Sequence, residues 1–150
     1  MQSNSDFNDL LHEFYAADVR FLIVGAYAVA RYSRPRATAD FDLWIDNDRD
    51  NARRVYAALG RFGAPLDDLT VDDLTSDDCV FQIGVAPARI DILTAIDGVD
   101  FATAWEHRET TLWGGVPVSY IGRDDLIANK RVTGRAKDLA DIEMLEKDRP

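Results

Sequence analysis

The sequence predicts a single domain of mixed α/β or α+β class, residues 1–150, in which helices flank a small mixed sheet. Three observations lead to this fold class. Segments with apolar residues at helical spacing alternate along the chain with short strand-like segments. The tetrapeptide Phe21–Val24 is wholly apolar, as in a strand that is buried on both faces. Residues 40–46 instead alternate, with apolar residues on one face and mostly carboxylates on the other.

Turn and capping residues separate the elements predicted in the first half of the chain. Asn4 or Ser5 is suited to cap a first helix that reaches about Ala17. Gly25 ends the apolar strand, and Pro35 with its neighbours breaks the helix that follows. The predicted elements are a helix to residue 17, a strand over 21–24, a helix over 26–32, a strand over 40–46 and a helix over 48–61.

The second half of the chain opens with an acidic connection. Residues 66–78 contain six aspartates and no basic residue, which indicates an exposed loop or short helical turns. Gly114 and Gly115 separate two strand-like segments, as in a hairpin. The predicted elements are a strand pair over 80–83 and 89–93, a short helix over 101–108, a hairpin over 110–113 and 116–120, and helices over 124–133 and 135–147.

The composition excludes several kinds of site. With 17 basic and 27 acidic side chains the formal net charge is −10, which disfavours a broad nucleic-acid-binding surface. One cysteine, Cys79, and two histidines exclude an internal disulfide, a cysteine zinc site and a multi-histidine metal site. A metal here would be a hard cation held by carboxylates. The N-terminal residues lack the pattern of a secretory signal, and no apolar run could span a bilayer, so we expect a cytoplasmic protein without membrane contact.

Asp40 and Asp42 are the strongest candidates for chemistry. Alternate positions of one strand place their Cα atoms roughly 6–7 Å apart on one face. Such carboxylates disfavour each other unless a cation lies between them, and Mg²⁺ takes one or two carboxylates together with substrate phosphates. Asp46 continues the acidic row, so a solvent-exposed strand face is the alternative interpretation. Asp91, on the polar face of a later strand, is by itself a surface carboxylate or a partner of Arg89.

Gly25 lies at a strand-to-helix turn. Backbone N–H groups at a helix N-terminus can bind phosphate, and the small Ala26 lets a ligand come close. Taken alone, a glycine in this position is more often an ordinary turn residue.

The order of these residues resembles the nucleotidyltransferase superfamily related to DNA polymerase β. The matching elements are Val24-Gly25-Ala26, thirteen intervening residues, the pair Asp40-Phe41-Asp42-Leu43, and later Ile90-Asp91-Ile92. Arg36-x-Thr38 is similar to the Arg-x-Thr-x-Asp-x-Asp form of many small members. Ala26 departs from the family, which usually has Gly or Ser at this position.

The C-terminal part of the chain extends the resemblance, which covers roughly residues 20–145. The segments Asp125-Leu126-Ile127-x-x-Lys130 and Arg135-x-Lys137-Asp138-x-x-Asp141 look like the tails of minimal nucleotidyltransferases and of AbiEii-like toxins. This similarity implies a small member of the superfamily and a role in a toxin–antitoxin system. An exposed basic helix face is the alternative interpretation of Lys130 and Lys137.

The resemblance implies a Mg²⁺-dependent enzyme that moves a nucleoside monophosphate from an NTP, such as ATP, to a hydroxyl of a protein, an RNA or a small molecule. Asp40 and Asp42 would bind Mg²⁺ on the triphosphate, and Asp91 would complete a two-metal site. The nucleotide-binding residues would be Gly25, Ala26, Arg36, Thr38, Lys130 and Lys137. Two alternatives remain: a catalytically silent protein of this fold that binds a partner, and an enzyme that modifies cationic antibiotics, which an acidic protein attracts.

Overall fold

Seven helices and six strands make up the part of the chain that the structure, a computed structural model, describes: residues 5–34, 40–85 and 88–148. In chain order they are α1 (Ser5–Ala16), β1 (Phe21–Val24), α2 (Gly25–Tyr32), β2 (Asp40–Ile45), α3 (Arg49–Phe62), α4 (Val71–Thr75), β3 (Val80–Ile83), β4 (Arg89–Leu93), α5 (Phe101–Glu106), β5 (Glu109–Trp113), β6 (Val116–Tyr120), α6 (Arg123–Thr133) and α7 (Ala136–Lys147). The predicted elements agree with these to within one or two residues at each end.

The strands form one mixed sheet in the order β3-β4-β2-β1-β6-β5. The central pair, β1 and β2, is antiparallel, while β1 with β6 and β2 with β4 are parallel. Antiparallel strands β3 and β5 form the two edges. All four residues of β1 are buried, as the apolar tetrapeptide predicts.

Helices cover both faces of the sheet. On one face α1 packs against β2, where the rings of Phe7 and Phe41 stack with centroids 4.4 Å apart, and α3 packs against α1. On the other face Trp44 of β2 meets Phe101 of α5 edge to face at 5.0 Å. Because side chains alternate along a strand, Asp42 shares the second face with Trp44.

Local sequence signals explain where the helices begin and end. The side chain of Asp48 accepts a hydrogen bond from the backbone N–H of Asn51 and so caps α3, which ends at Gly63 in the left-handed conformation. Thr70 and Asp73 form a capping box at the start of α4. The acidic connection therefore folds as short helical turns. Within the described residues, no helix has the length and apolar character that a bilayer crossing needs.

Candidate active site

Strand register places three carboxylates on one face of the sheet. Asp42 of β2 lies opposite Val24 of β1 on one side and opposite Asp91 of β4 on the other. The two side chains therefore lie side by side on adjacent strands, and the negative charge of Asp91 acts on the carboxyl group of Asp42. Asp40, two residues earlier on β2, lies opposite Arg89. The structure thus brings together the three carboxylates singled out from the sequence, and Asp91, at 7% exposure, is buried rather than a surface residue.

Gly25 borders this cluster and has to be a glycine for two reasons. Its φ of +69° lies in the left-handed region, where side chains are strained. A Cβ built on Gly25 would also overlap the carboxylate of Asp42. The glycine therefore lets the first turn of α2 lie directly against Asp42. An ordinary turn would not need so close a contact.

Replacing Gly25 by alanine is expected to destabilise the protein more than backbone strain alone can. Gly63 is the matched control, because its φ is +98° and a Cβ there meets no atom within 4 Å among the described residues. Gly63→Ala should cost about 1–2 kcal/mol of unfolding free energy from strain. Gly25→Ala should cost about 1–3 kcal/mol more, because the overlap is added. Urea unfolding of both variants measures this, and equal losses would mean that Asp42 moves aside freely.

Burial and like charges act together on Asp42. Desolvation by burial, followed by the negative charges of Asp91 and Asp40, raises the pKa of Asp42 to about 7, although Arg89 opposes the shift. The oxygen Oδ1 of Asp42 is buried and has no hydrogen-bond partner among the described residues. The ionised form of Asp42 is therefore destabilised by burial and by the neighbouring negative charges, and a nearby cation would stabilise it.

The raised pKa of Asp42 makes the stability of the metal-free protein depend on pH. Between about pH 4 and pH 7 an unfolded chain ionises this group while the folded protein keeps its proton, so stability should fall as pH rises through this window. Asp42→Asn removes that loss. In EDTA we expect the variant to melt about 2–8 °C above the wild type at pH 8, which corresponds to about 1–2 kcal/mol.

Two controls separate this effect from a general gain. At pH 4.5 the Asp42→Asn advantage should shrink, because the wild-type group is then largely protonated in the folded state. Asp72→Asn makes the same change in net charge at an exposed ion pair with Arg49, away from the carboxylate cluster. An equal gain at both pH values, or in both variants, would contradict the assignment of the effect to Asp42.

A guanidinium group bridges the other two carboxylates. The Nη2 atom of Arg89 donates to Oδ2 of Asp40 at 2.8 Å and to Oδ2 of Asp91 at 3.2 Å. The Nε atom lies 3.2 Å from Oδ1 of Asp91, an ion-pair distance without hydrogen-bond geometry. The sequence offered Arg89 as a partner of Asp91, but its contact with Asp40 follows only from the parallel register of β2 and β4.

The carboxylate cluster fits a hard divalent cation by the chemistry of its donors. All its potential ligand atoms are carboxylate oxygens, which Mg²⁺ prefers. Oδ1 of Asp42 and Oδ1 of Asp91 are both buried without a hydrogen-bond partner among the described residues. In the described ranges no group of three or more acidic, histidine or cysteine side chains is already arranged to hold a metal ion. Within the cluster, the guanidinium of Arg89 pairs with Asp40 and Asp91.

The predicted nucleotide-binding residues are distributed over three places. Gly25 and Ala26 form the start of α2, where no side chain of the described residues caps the helix and the first backbone N–H groups are available to an anion. Arg36 and Thr38 lie outside the described residues. Lys137 is exposed on α7.

Lys130 differs from the exposed basic residue that the sequence suggested as an alternative. It is buried, and its ammonium lies 3.0 Å from Asp141 and 3.6 Å from Asp138. A side-chain hydrogen bond from Arg135 holds the pKa of Asp138 well below its usual range, and Thr133 donates to the same carboxylate. These contacts tie α6 to α7, so part of the tail motif has a structural role.

Comparison with known proteins identifies the fold. No family model and no curated protein sequence matches the chain. A candidate nucleotidyltransferase from Thermotoga maritima superposes with a TM-score of 0.58 at 12% identity, over 99% of this chain and 97% of its own. The lincosamide antibiotic adenylyltransferase LnuA, solved with lincomycin bound, superposes with a TM-score of 0.59 at 14% identity, over 98% of each chain. The chain therefore has the nucleotidyltransferase fold, which confirms the predicted fold class and the resemblance at the level of the fold.

Proposed function

We propose that this protein is a Mg²⁺-dependent nucleotidyltransferase that moves a nucleoside monophosphate from an NTP to a hydroxyl acceptor. The observation that carries the proposal is the register of β1, β2 and β4, which sets Asp42 beside Asp91 and against the Gly25 turn. The fold neighbours, one of them an adenylyltransferase, support the same class of reaction.

Each part of the site has a role in this proposal. Asp40 and Asp42 hold Mg²⁺ with the triphosphate, and Asp91 completes a two-metal set. Mg²⁺ bound there supplies positive charge against the phosphates. Backbone N–H groups in the first turn of α2 donate to phosphate oxygens. Arg36, Thr38 and Lys137 remain the other predicted phosphate contacts, whereas the ammonium of Lys130, also predicted from the sequence, lies against Asp138 and Asp141.

The reaction is an in-line displacement at phosphorus. The acceptor hydroxyl oxygen forms a bond to the α-phosphorus, the bond from that phosphorus to pyrophosphate breaks, and the hydroxyl proton passes to solvent water. Asp91, buried beside Asp42, orients the attacking hydroxyl. Positioning and electrostatic stabilisation therefore supply most of the rate enhancement.

Two observations favour a small cationic molecule as the acceptor over a nucleic acid. The net charge of −10 attracts cations and repels polyanions. LnuA, which has the same fold, is described as acting on a lincosamide antibiotic. Membership of a toxin–antitoxin system rests mainly on the similarity of the tail sequence, and a protein or an RNA remains the alternative acceptor.

The second candidate function is a silent nucleotidyltransferase fold that acts by binding a partner. The ion pairs of Arg89 with Asp40 and Asp91 favour it, because they already neutralise part of the carboxylate cluster. Ala26 also favours it, because its methyl group stands where the superfamily usually has Gly or Ser.

Transfer of label from an α-³²P-labelled NTP tests the proposal. The protein is incubated with each of the four NTPs and Mg²⁺, alone, with a bacterial extract, and with lincosamide and aminoglycoside antibiotics. We expect label from one NTP to pass to one class of acceptor, and we expect Asp42→Asn to abolish it. Label that reaches no protein, RNA or small molecule in any mixture would favour the silent fold.

A further inference from the structure

Arg89 is the one basic side chain that the described structure places among the three carboxylates. Its Nη2 donates to both Asp40 and Asp91, so a single guanidinium bridges carboxylates on two adjacent strands. Its position is fixed by its place on β4, opposite Asp40 and two residues before Asp91. The proposed function leaves Arg89 without a role.

The guanidinium uses the same carboxylates that the proposed function assigns to a divalent cation. A cation that binds Asp40 and Asp91 through Oδ2 has to displace the Nη2 hydrogen bonds. We propose that Arg89 is a built-in counter-cation, which neutralises the carboxylate cluster in the metal-free protein and withdraws from at least one carboxylate when a divalent cation binds. This inference rests on the proposed metal-binding role of Asp40, Asp42 and Asp91.

Arg89 contacts two carboxylates but is neither fully hydrogen-bonded nor fully buried. Its Nε has no hydrogen-bond partner among the described residues, although Oδ1 of Asp91 is only 3.2 Å away. The Arg89 side chain is 34% exposed and that of Asp40 is 41% exposed, so the bridge lies at the border of the solvent although Nε itself is buried. A fully satisfied, buried arginine would have neither property, because removal of its partners would leave a desolvated charge.

Binding of Mn²⁺ alone to wild type and to Arg89→Gln tests the proposal without any turnover. Free Mn²⁺ is counted from its electron paramagnetic resonance signal during a titration at low ionic strength. Because the variant removes the competing charge, we expect it to bind Mn²⁺ about five- to tenfold more tightly than the wild type. We also expect a lower melting temperature in EDTA and a larger rise in that temperature on addition of Mn²⁺.

Two further variants isolate the contribution of the bridge. Arg49→Gln removes the same charge from an exposed pair with Asp72, beyond the opposite end of β2, and should leave Mn²⁺ affinity within about twofold of wild type. Arg89→Lys keeps the charge on a single ammonium, which lacks the forked geometry that spans two carboxylates. Its Mn²⁺ affinity should fall between those of the wild type and Arg89→Gln.

The outcomes separate this inference from the proposed function. Unchanged or weaker Mn²⁺ binding by a folded Arg89→Gln, with wild-type binding that Asp42→Asn abolishes, would overturn the counter-cation and leave the metal site intact. Binding by neither protein, or binding that Asp42→Asn does not affect, would overturn the metal site and the counter-cation with it. Tighter Mn²⁺ binding by Arg89→Gln, together with loss of Mn²⁺ binding in Asp42→Asn, would support both the counter-cation and the metal site.

Discussion

Asp91→Asn is expected to bind Mg²⁺–NTP with nearly wild-type affinity and to transfer the nucleotide at least about a hundredfold more slowly, as when a group acts mainly in the transition state. Asp42→Asn and Asp40→Asn should instead weaken nucleotide binding by more than about tenfold. Each variant would hold Mg²⁺ less tightly, so less positive charge would offset the repulsion between the phosphates and the remaining carboxylates. The difference is expected because the proposed function assigns Asp40 and Asp42 to the cation on the triphosphate and Asp91 to the acceptor hydroxyl.

A binding titration and a turnover assay on the same three variants measure this division of roles. Asparagine keeps the shape of aspartate and one oxygen ligand, so the comparison removes charge with little change in packing. Loss of binding in Asp91→Asn as complete as in Asp42→Asn would show that the roles are shared. Wild-type transfer by Asp91→Asn would remove Asp91 from the site.

The largest stability effect is expected at Lys130, away from the proposed chemistry. Lys130→Met leaves the carboxylates of Asp138 and Asp141 without the ammonium that lies between them. Breaking a buried ion pair by removing one partner costs about 3–5 kcal/mol. In a domain of this size that corresponds to a fall in Tm of about 6–20 °C, measured by thermal unfolding without nucleotide.

Lys137→Met is the matched control, because Lys137 is an exposed lysine in the same tail motif. A surface substitution of this kind should change the unfolding free energy by no more than about 0.5 kcal/mol. If Lys130 instead contacts phosphate, as the sequence suggested, Lys130→Met would lower nucleotide affinity and leave the Tm nearly unchanged. That result would contradict the structural role assigned to the pair.

The sequence predicts the elements of this fold well because each has a local physical signature. Phe21–Val24 is apolar throughout and becomes the fully buried β1. The alternation over 40–46 assigns Asp40 and Asp42 to one face of β2, and Asp48 caps α3 at its predicted start. These signals act over a few residues, so no knowledge of the tertiary structure is needed to use them.

The relations between elements depend on packing and could not be derived in this way. Nothing local specifies that β4 pairs with β2 in parallel, which is what sets Asp91 opposite Asp42 and Arg89 opposite Asp40. The superfamily resemblance predicted that Asp40, Asp42 and Asp91 act together, but it did not predict that Arg89 lies among them. The burial of Lys130 likewise follows from the packing of α6 on α7, whereas its residue type alone favours exposure.

In the proposed function the carboxylate cluster and the Gly25 turn together bind Mg²⁺–NTP. Isothermal titration of the wild-type protein with each NTP, in Mg²⁺ and again in EDTA, tests it most directly, with Asp42→Asn as the control. We expect saturable, Mg²⁺-dependent binding of at least one NTP to a single site, and loss of this binding in Asp42→Asn. Failure of all four NTPs to bind at millimolar concentration, or equal binding by Asp42→Asn, would contradict it.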